Sequence, residues 1–150
     1  MRCCSGLMFI IMALVPAWAN AAETAGDVVK KLAILDARDG FPAGMPASKA
    51  TNMLARAAAL CKPNNEVDDE VAHLGDMIAF THNLLKKQNL NVSRYDLLDV
   101  VNGILGDGKA GHDCAAVLSM YATLRTMKEK QASHIEAYKV IQGLRDNGML

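Results

Sequence analysis

Two stretches of this chain say nearly the same thing forty residues apart. SRYDLLDVVNGILGDG runs from Ser93 to Gly108, and SHIEAYKVIQGLRDNG from Ser133 to Gly148. Each opens with Ser and places an acid three residues on, Asp96 and Glu136. That spacing lets the hydroxyl and the carboxylate each accept a backbone N–H at the start of a helix. Each closes on Gly, which takes the left-handed conformation that ends a helix. Each also carries a glycine well inside the helical pattern, Gly103 and Gly143. An internal helical glycine costs about 1 kcal/mol relative to Ala, so its recurrence predicts close helix contact at both positions. The likeness continues upstream, where MIAFTHNLLKKQNLNVS lies over VLSMYATLRTMKEKQAS with Leu84 over Leu124. The chain thus reads as two units, 67–108 and 113–148, each a long helix, a short loop and a capped short helix. Two units are too few for a solenoid, and their four helices suit a bundle.

The rest of the chain is helical in pattern as well. DVVKKLAILDARDG predicts a helix capped by Asp27, with Val28, Leu32 and Leu35 on one face and Gly40 as the stop. FPAGMPA, with Pro42, Gly44 and Pro46, is a linker. Ser48 is the expected cap of the alanine-rich helix KATNMLARAAALC, which ends before Pro63. NEVDDEVAHLGDMIAFTHNLLKKQN is the longest periodic stretch, with Val67, Val71, Leu74, Ile78 and Leu85 on one face. Its acids lead and Lys86 and Lys87 close it, both favoured by the helix dipole. No stretch alternates as a strand does. The expected fold is all-α: a small bundle of five to six helices with a duplicated helical hairpin and one disulfide, the two N-terminal helices laid across it.

The first residues read differently. MRCCSGLMFIIMALVPAWANAAE has a positive Arg2, an apolar run from Leu7 to Ala19, and small residues at Ala17, Ala19 and Ala21. This is the layout of a secretory signal peptide, and its run is short of the roughly 20 residues that span a bilayer. Cleavage after Ala19 or Ala21 fits, and the later cut assigns 1–21 to the leader and 22–150 to one domain of about 130 residues. Cys3 and Cys4 precede the apolar run, so neither has the position of a lipoprotein cysteine. The expected location is the periplasm, or the medium if the protein is secreted further. The chain carries 16 Lys and Arg against 16 Asp and Glu, and the leader removes only Arg2. Such a balance supplies no basic stripe for nucleic acid and no polybasic patch for anionic membranes. Cys61 and Cys114 are the remaining cysteines, and an oxidising compartment predicts that they pair.

Motifs for chemistry fail on context. Gly106, Gly108 and Gly111 match G-x-G-x-x-G, but that loop binds dinucleotides after a strand, whereas here it follows a helix. Glu70 and His73 form one E-x-x-H where a two-metal helical site needs a second. No G-x-S-x-G elbow marks a hydrolase. No catalytic residue, cofactor or metal is expected, and an enzyme of unrecognised type stays as an alternative.

NVSRYDLLDVV sets a β-branched residue, a Ser cap, Leu and a Val-Val pair after a long helix containing Gly75. From Leu74 to Leu105 the chain resembles the small helical periplasmic immunity proteins that neutralise amidase toxins delivered by type VI secretion. The resemblance implies an exported, disulfide-tied, non-catalytic protein that inserts a loop or helix face into a toxin's active-site cleft. The partner would be another protein, a secreted toxin or cell-wall hydrolase. Two surfaces are candidates for that contact. One is the glycine-rich loop of Gly106, Asp107, Gly108, Lys109, Gly111, His112 and Asp113, since contacts concentrate on loops held by a rigid scaffold. The other is the acidic turn of Glu66, Asp68, Asp69 and Glu70, since charge steers association. The rival reading is a periplasmic stress chaperone that exposes apolar surface in acid.

Overall fold

A computed structural model describes residues 22–63, 69–128 and 131–150. The expected leader, 1–21, lies outside them. Among the described residues the fold is all-α, with six helices and no strand. In chain order these are α1 (Ala25–Arg38), α2 (Ala47–Leu60), α3 (Glu70–Lys87), α4 (Arg94–Ile104), α5 (Cys114–Thr126) and α6 (His134–Asp146), and a 3-10 turn, Leu105–Asp107, follows α4.

The organising element is α4. Eight of its side chains are buried: Arg94, Tyr95, Leu97, Leu98, Val100, Val101, Asn102 and Ile104. A helix enclosed on most of its faces belongs at the centre of a core, and α1, α2, α3, α5 and α6 all pack on it. Its ends are then cut off from water, so their unpaired backbone groups need protein partners. At the N-terminus Ser93 and Asp96 close the expected capping box. The Asp36 carboxylate, from α1, accepts the backbone N–H groups of Arg94 and Tyr95 at 3.0–3.3 Å. At the C-terminus Arg145 of α6 donates to the Gly103 and Ile104 carbonyls, and Arg56 of α2 donates to the Leu105 carbonyl. An acid at the first turn and two cations at the last also match the helix dipole.

The second half of the repeat is built alike at its cap and unlike in its packing. Ser133 and Glu136 form the same capping box at α6. Yet α6 buries only Ala137 and Ile141, because it lies at the edge of the bundle. The two internal glycines differ for that reason. A Cβ on Gly103 would collide with the Tyr138 ring of α6, whereas one on Gly143 would meet nothing within 4 Å. The expected close approach therefore exists at Gly103 and not at Gly143. Gly75, inside the long helix, has the same function between α3 and α1, where a Cβ would strike the Val28 side chain.

Three expected helix starts shift. The cap of α1 is Thr24, whose hydroxyl accepts the Asp27 N–H, so Asp27 occupies the third helical position. Leu35 is only half-buried, and Asp36 takes the fourth inward place on that helix. At α2 the cap is Pro46 and Ser48 is exposed within the first turn. Proline's fixed φ suits that boundary without a side-chain bond. Among the described residues α3 begins at Glu70 with Asp69 as its cap, later than the acidic pattern suggested; Val67 lies outside the described residues.

Candidate functional site

The Cys61–Cys114 disulfide joins the end of α2 to the start of α5, with the Cα atoms 5.5 Å apart. It forms as the sequence predicts. Beside it the chain from Gly106 to Asp113 is fastened to α2 rather than loose. The Leu60 carbonyl, which has no acceptor role left within α2, takes the Gly111 N–H at 2.8 Å and the His112 N–H at 3.3 Å. The Lys62 N–H donates to the His112 carbonyl at 2.7 Å. Gly108 and Gly111 hold positive φ, 70° and 93°, which lets the chain turn this tightly. The motif here follows a helical turn, so the glycines shape a connection and no strand leads into it.

The acids of this loop are mostly engaged. Asp107 accepts the Lys109 backbone N–H at 3.1 Å and lies 3.2 Å from His112 Nε2. The Lys109 amide, with His112 adding to it, lowers the Asp107 pKa below the ordinary carboxylate value. Asp113 caps α5 by accepting the Ala116 N–H at 2.8 Å and remains exposed. Gly106, Lys109 and Gly111 are exposed.

The acidic turn is brought to the same place. Glu66 and Asp68 lie outside the described residues. Asp69 accepts the Val71 and Ala72 N–H groups through one carboxylate oxygen and the Glu23 N–H through the other. The Ala72 amide first, then those of Glu23 and Val71, lowers its pKa. Both oxygens of Asp69 are thus occupied in fixing the start of α3. Glu70, half-buried, lines a cavity of about 400 Å³ together with His73, Lys62, Asp113 and both disulfide cysteines. One residue from each surface expected from the sequence, Glu70 and Asp113, thus lines one cavity, where the N-terminal ends of α3 and α5 lie side by side, whereas Asp69 and the loop from Gly106 to His112 do not line it. Among the described residues no three His, Cys, Asp or Glu side chains are placed to hold a metal ion.

A second polar cluster escaped the sequence reading. Asp36 and Arg94 are 2% and 1% exposed, and His82 is 1% exposed. Arg94 Nη1 donates to Asp36 and to Asp39, both at 2.9 Å. Lys86 Nζ reaches Asp39 at 2.6 Å. The Lys86 ammonium and the Arg94 guanidinium hold the Asp39 carboxyl far below its ordinary pKa of 3.8. His82 donates from Nδ1 to the Val92 carbonyl at 2.8 Å, with Nε2 3.1 Å from Asp39. These residues tie α1, α3 and α4 together beneath the surface, so the cluster positions helices rather than meeting a ligand. No periodicity announces it, because Asp36, Asp39, His82 and Arg94 lie on three different elements.

Tyr121 shows the same economy on the other side of the bundle. Its buried hydroxyl accepts from Arg125 at 2.8 Å and lies 2.7 Å from His134 Nδ1, linking α5 to the first residue of α6. Burial raises the Tyr121 pKa above its ordinary value. His134 is therefore a structural partner of Tyr121.

No helix among the described residues is long and apolar enough to cross a membrane. Comparison with protein-family models, with curated proteins and with solved structures finds no match to this chain.

Proposed function

We propose that this chain is an exported, non-catalytic domain that binds another protein, acting as a periplasmic immunity or inhibitor protein toward a secreted toxin or a cell-wall hydrolase. The supporting observation is the meeting of Glu70 and Asp113 at one cavity beside the Cys61–Cys114 bridge. A binding surface gains affinity when its groups are held in place before the partner arrives. Here the disulfide, the Leu60 and His112 backbone bonds and the Asp113 cap provide that rigidity. The carboxylates would face a basic or hydrogen-bonding group of the partner, and charge at such a rim acts mainly on the association rate.

The test starts with full-length protein expressed in a bacterium and the mature form isolated from the periplasm. Mass spectrometry then identifies what is held in stoichiometric amount. A toxin or cell-wall hydrolase bound by the native chain, and lost with Glu70→Gln and Asp113→Asn at unchanged melting temperature, supports the proposal. Asn is chosen because it still caps α5. Hydrolysis of peptidoglycan or esters by the purified chain, abolished by one His substitution, would sink it.

A further inference from the structure

A different face of α3 is unpartnered. Phe80 and Leu84 are 65% and 40% exposed. They form one wall of an apolar groove of about 400 Å³ between α3 and α5. The opposite wall, from α5, presents only small or short side chains at its rim: Ala115, Ser119, Ala122, Thr123 and Thr126. Leu118 of α5 also lines the groove but is buried, so the large projecting ring of Phe80 stands opposite a wall whose exposed side chains are short. The ring and the groove together offer apolar area that another chain can cover, and the charges beside them decide which.

The charges along α3 select the occupant. Asp76, Phe80 and Lys87 recur at steps of four and seven, so they lie in one stripe on the outer face of the helix. Asp76 and Lys87 are exposed, and neither closes an ion pair among the described residues; the Asp76 charge acts on Lys31 of α1, which itself pairs with Glu23. Lys86, by contrast, is turned inward to Asp39. Eleven residues of helix separate Asp76 from Lys87, about 17 Å, and their midpoint falls between Phe80 and Leu84. A copy of the same helix laid antiparallel about that midpoint sets Asp76 opposite the partner's Lys87, and Lys87 opposite the partner's Asp76. The same operation carries each Phe80 across to the other molecule's groove. The stripe is self-complementary under a two-fold axis, which is the requirement for an isologous dimer.

We infer that the α3–α5 groove is the dimer interface of this protein, with Phe80 as the reciprocal anchor and Asp76–Lys87 pairs fixing an antiparallel register. The groove adjoins the disulfide-side cavity, sharing Met77 and Ala115 with it. The stripe itself runs from there toward the end of α3, and dimerisation does not depend on the function proposed above.

Sedimentation equilibrium of the mature chain, from micromolar to millimolar concentration at low and high salt, tests this directly. The expected result is a monomer–dimer equilibrium that weakens as salt screens the paired charges. Phe80→Lys should raise the dissociation constant at least tenfold, the scale of losing a central aromatic anchor. Asp76→Lys and Lys87→Asp should each weaken the homodimer, because each sets like charges opposite one another. Mixed in equal amounts these two variants should form a heterodimer, since both charge pairs then become attractive. All the substituted side chains are exposed, and circular dichroism checks that each variant is folded. A native chain that stays monomeric throughout overturns the inference. So does association indifferent to Phe80→Lys, or a mixture of the two charge variants that fails to pair.

Discussion

Removing one carboxylate should be enough to unseat the central helix. Asp36 accepts the first two backbone N–H groups of α4 and the Arg94 guanidinium, at 2.9–3.3 Å, in a site almost closed to water. Asp36→Ala leaves those two amides without an acceptor and leaves Arg94 with Asp39 alone. Each buried donor without a partner costs about 1–3 kcal/mol, and breaking a buried ion pair by removing one member costs about 3–5 kcal/mol. These overlap, so the expected loss is about 3–5 kcal/mol in total. Against a stability of roughly 5–15 kcal/mol for an ordinary domain, this is a large share, and the melting temperature should fall by roughly 10–20 °C.

Arg94→Met should cost less, about 1–3 kcal/mol. Asp36 keeps its backbone donors in that variant, and Arg94 Nε is buried without a partner to begin with. The double variant should lie close to Asp36→Ala alone, since the pair is removed together. Urea unfolding followed by circular dichroism measures all three. A loss below about 1 kcal/mol in Asp36→Ala, or a greater loss in Arg94→Met, would refute the view that this carboxylate caps and anchors α4.

Other consequences can be measured on the same material. Gly103→Ala should destabilise by about 1–3 kcal/mol through overpacking against Tyr138, whereas Gly143→Ala, into open space, should stabilise by up to about 1 kcal/mol; equal effects in thermal melts would contradict the different packing of α4 and α6. Replacing Cys61 and Cys114 by Ser frees a loop spanning a sequence separation of 53, and the chain-entropy relation gives a loss of about 4 kcal/mol. An undiminished urea midpoint would count against a structural bridge. The depressed pKa of Asp39 adds stability above the unfolded value of 3.8, and that stability is lost as pH falls through the folded value. The native chain should therefore weaken progressively from about pH 5 to about pH 2, and Asp39→Asn should flatten that slope. Parallel slopes for the two proteins would show that Asp39 is not the group responsible.

Helix identity, the doubled capping box and the disulfide were legible in the sequence because each rests on short-range chemistry. Ser93 with Asp96 and Ser133 with Glu136 satisfy amides within one turn, and no distant residue is needed to read that. With Cys3 and Cys4 assigned to the expected leader, two cysteines leave one pairing to make. The outermost helix bounds were less legible, as Thr24 and Pro46 show, because several adjacent residues have capping chemistry and packing chooses among them.

Tertiary structure alone decided what the repeated pattern could not. The same motif became a buried hub in α4 and an edge helix in α6, since only one of two like helices can occupy the centre of a small bundle. Gly103 meets Tyr138 and Gly143 meets nothing for that reason. The Asp36–Arg94–Asp39–His82 cluster joins residues up to 58 positions apart, and Glu70 and Asp113 come to line one cavity beside the Cys61–Cys114 disulfide. Local pattern records which face of a helix is apolar. Which other helix that face meets, and which charges are thereby shut away from water, is settled only when the whole core closes.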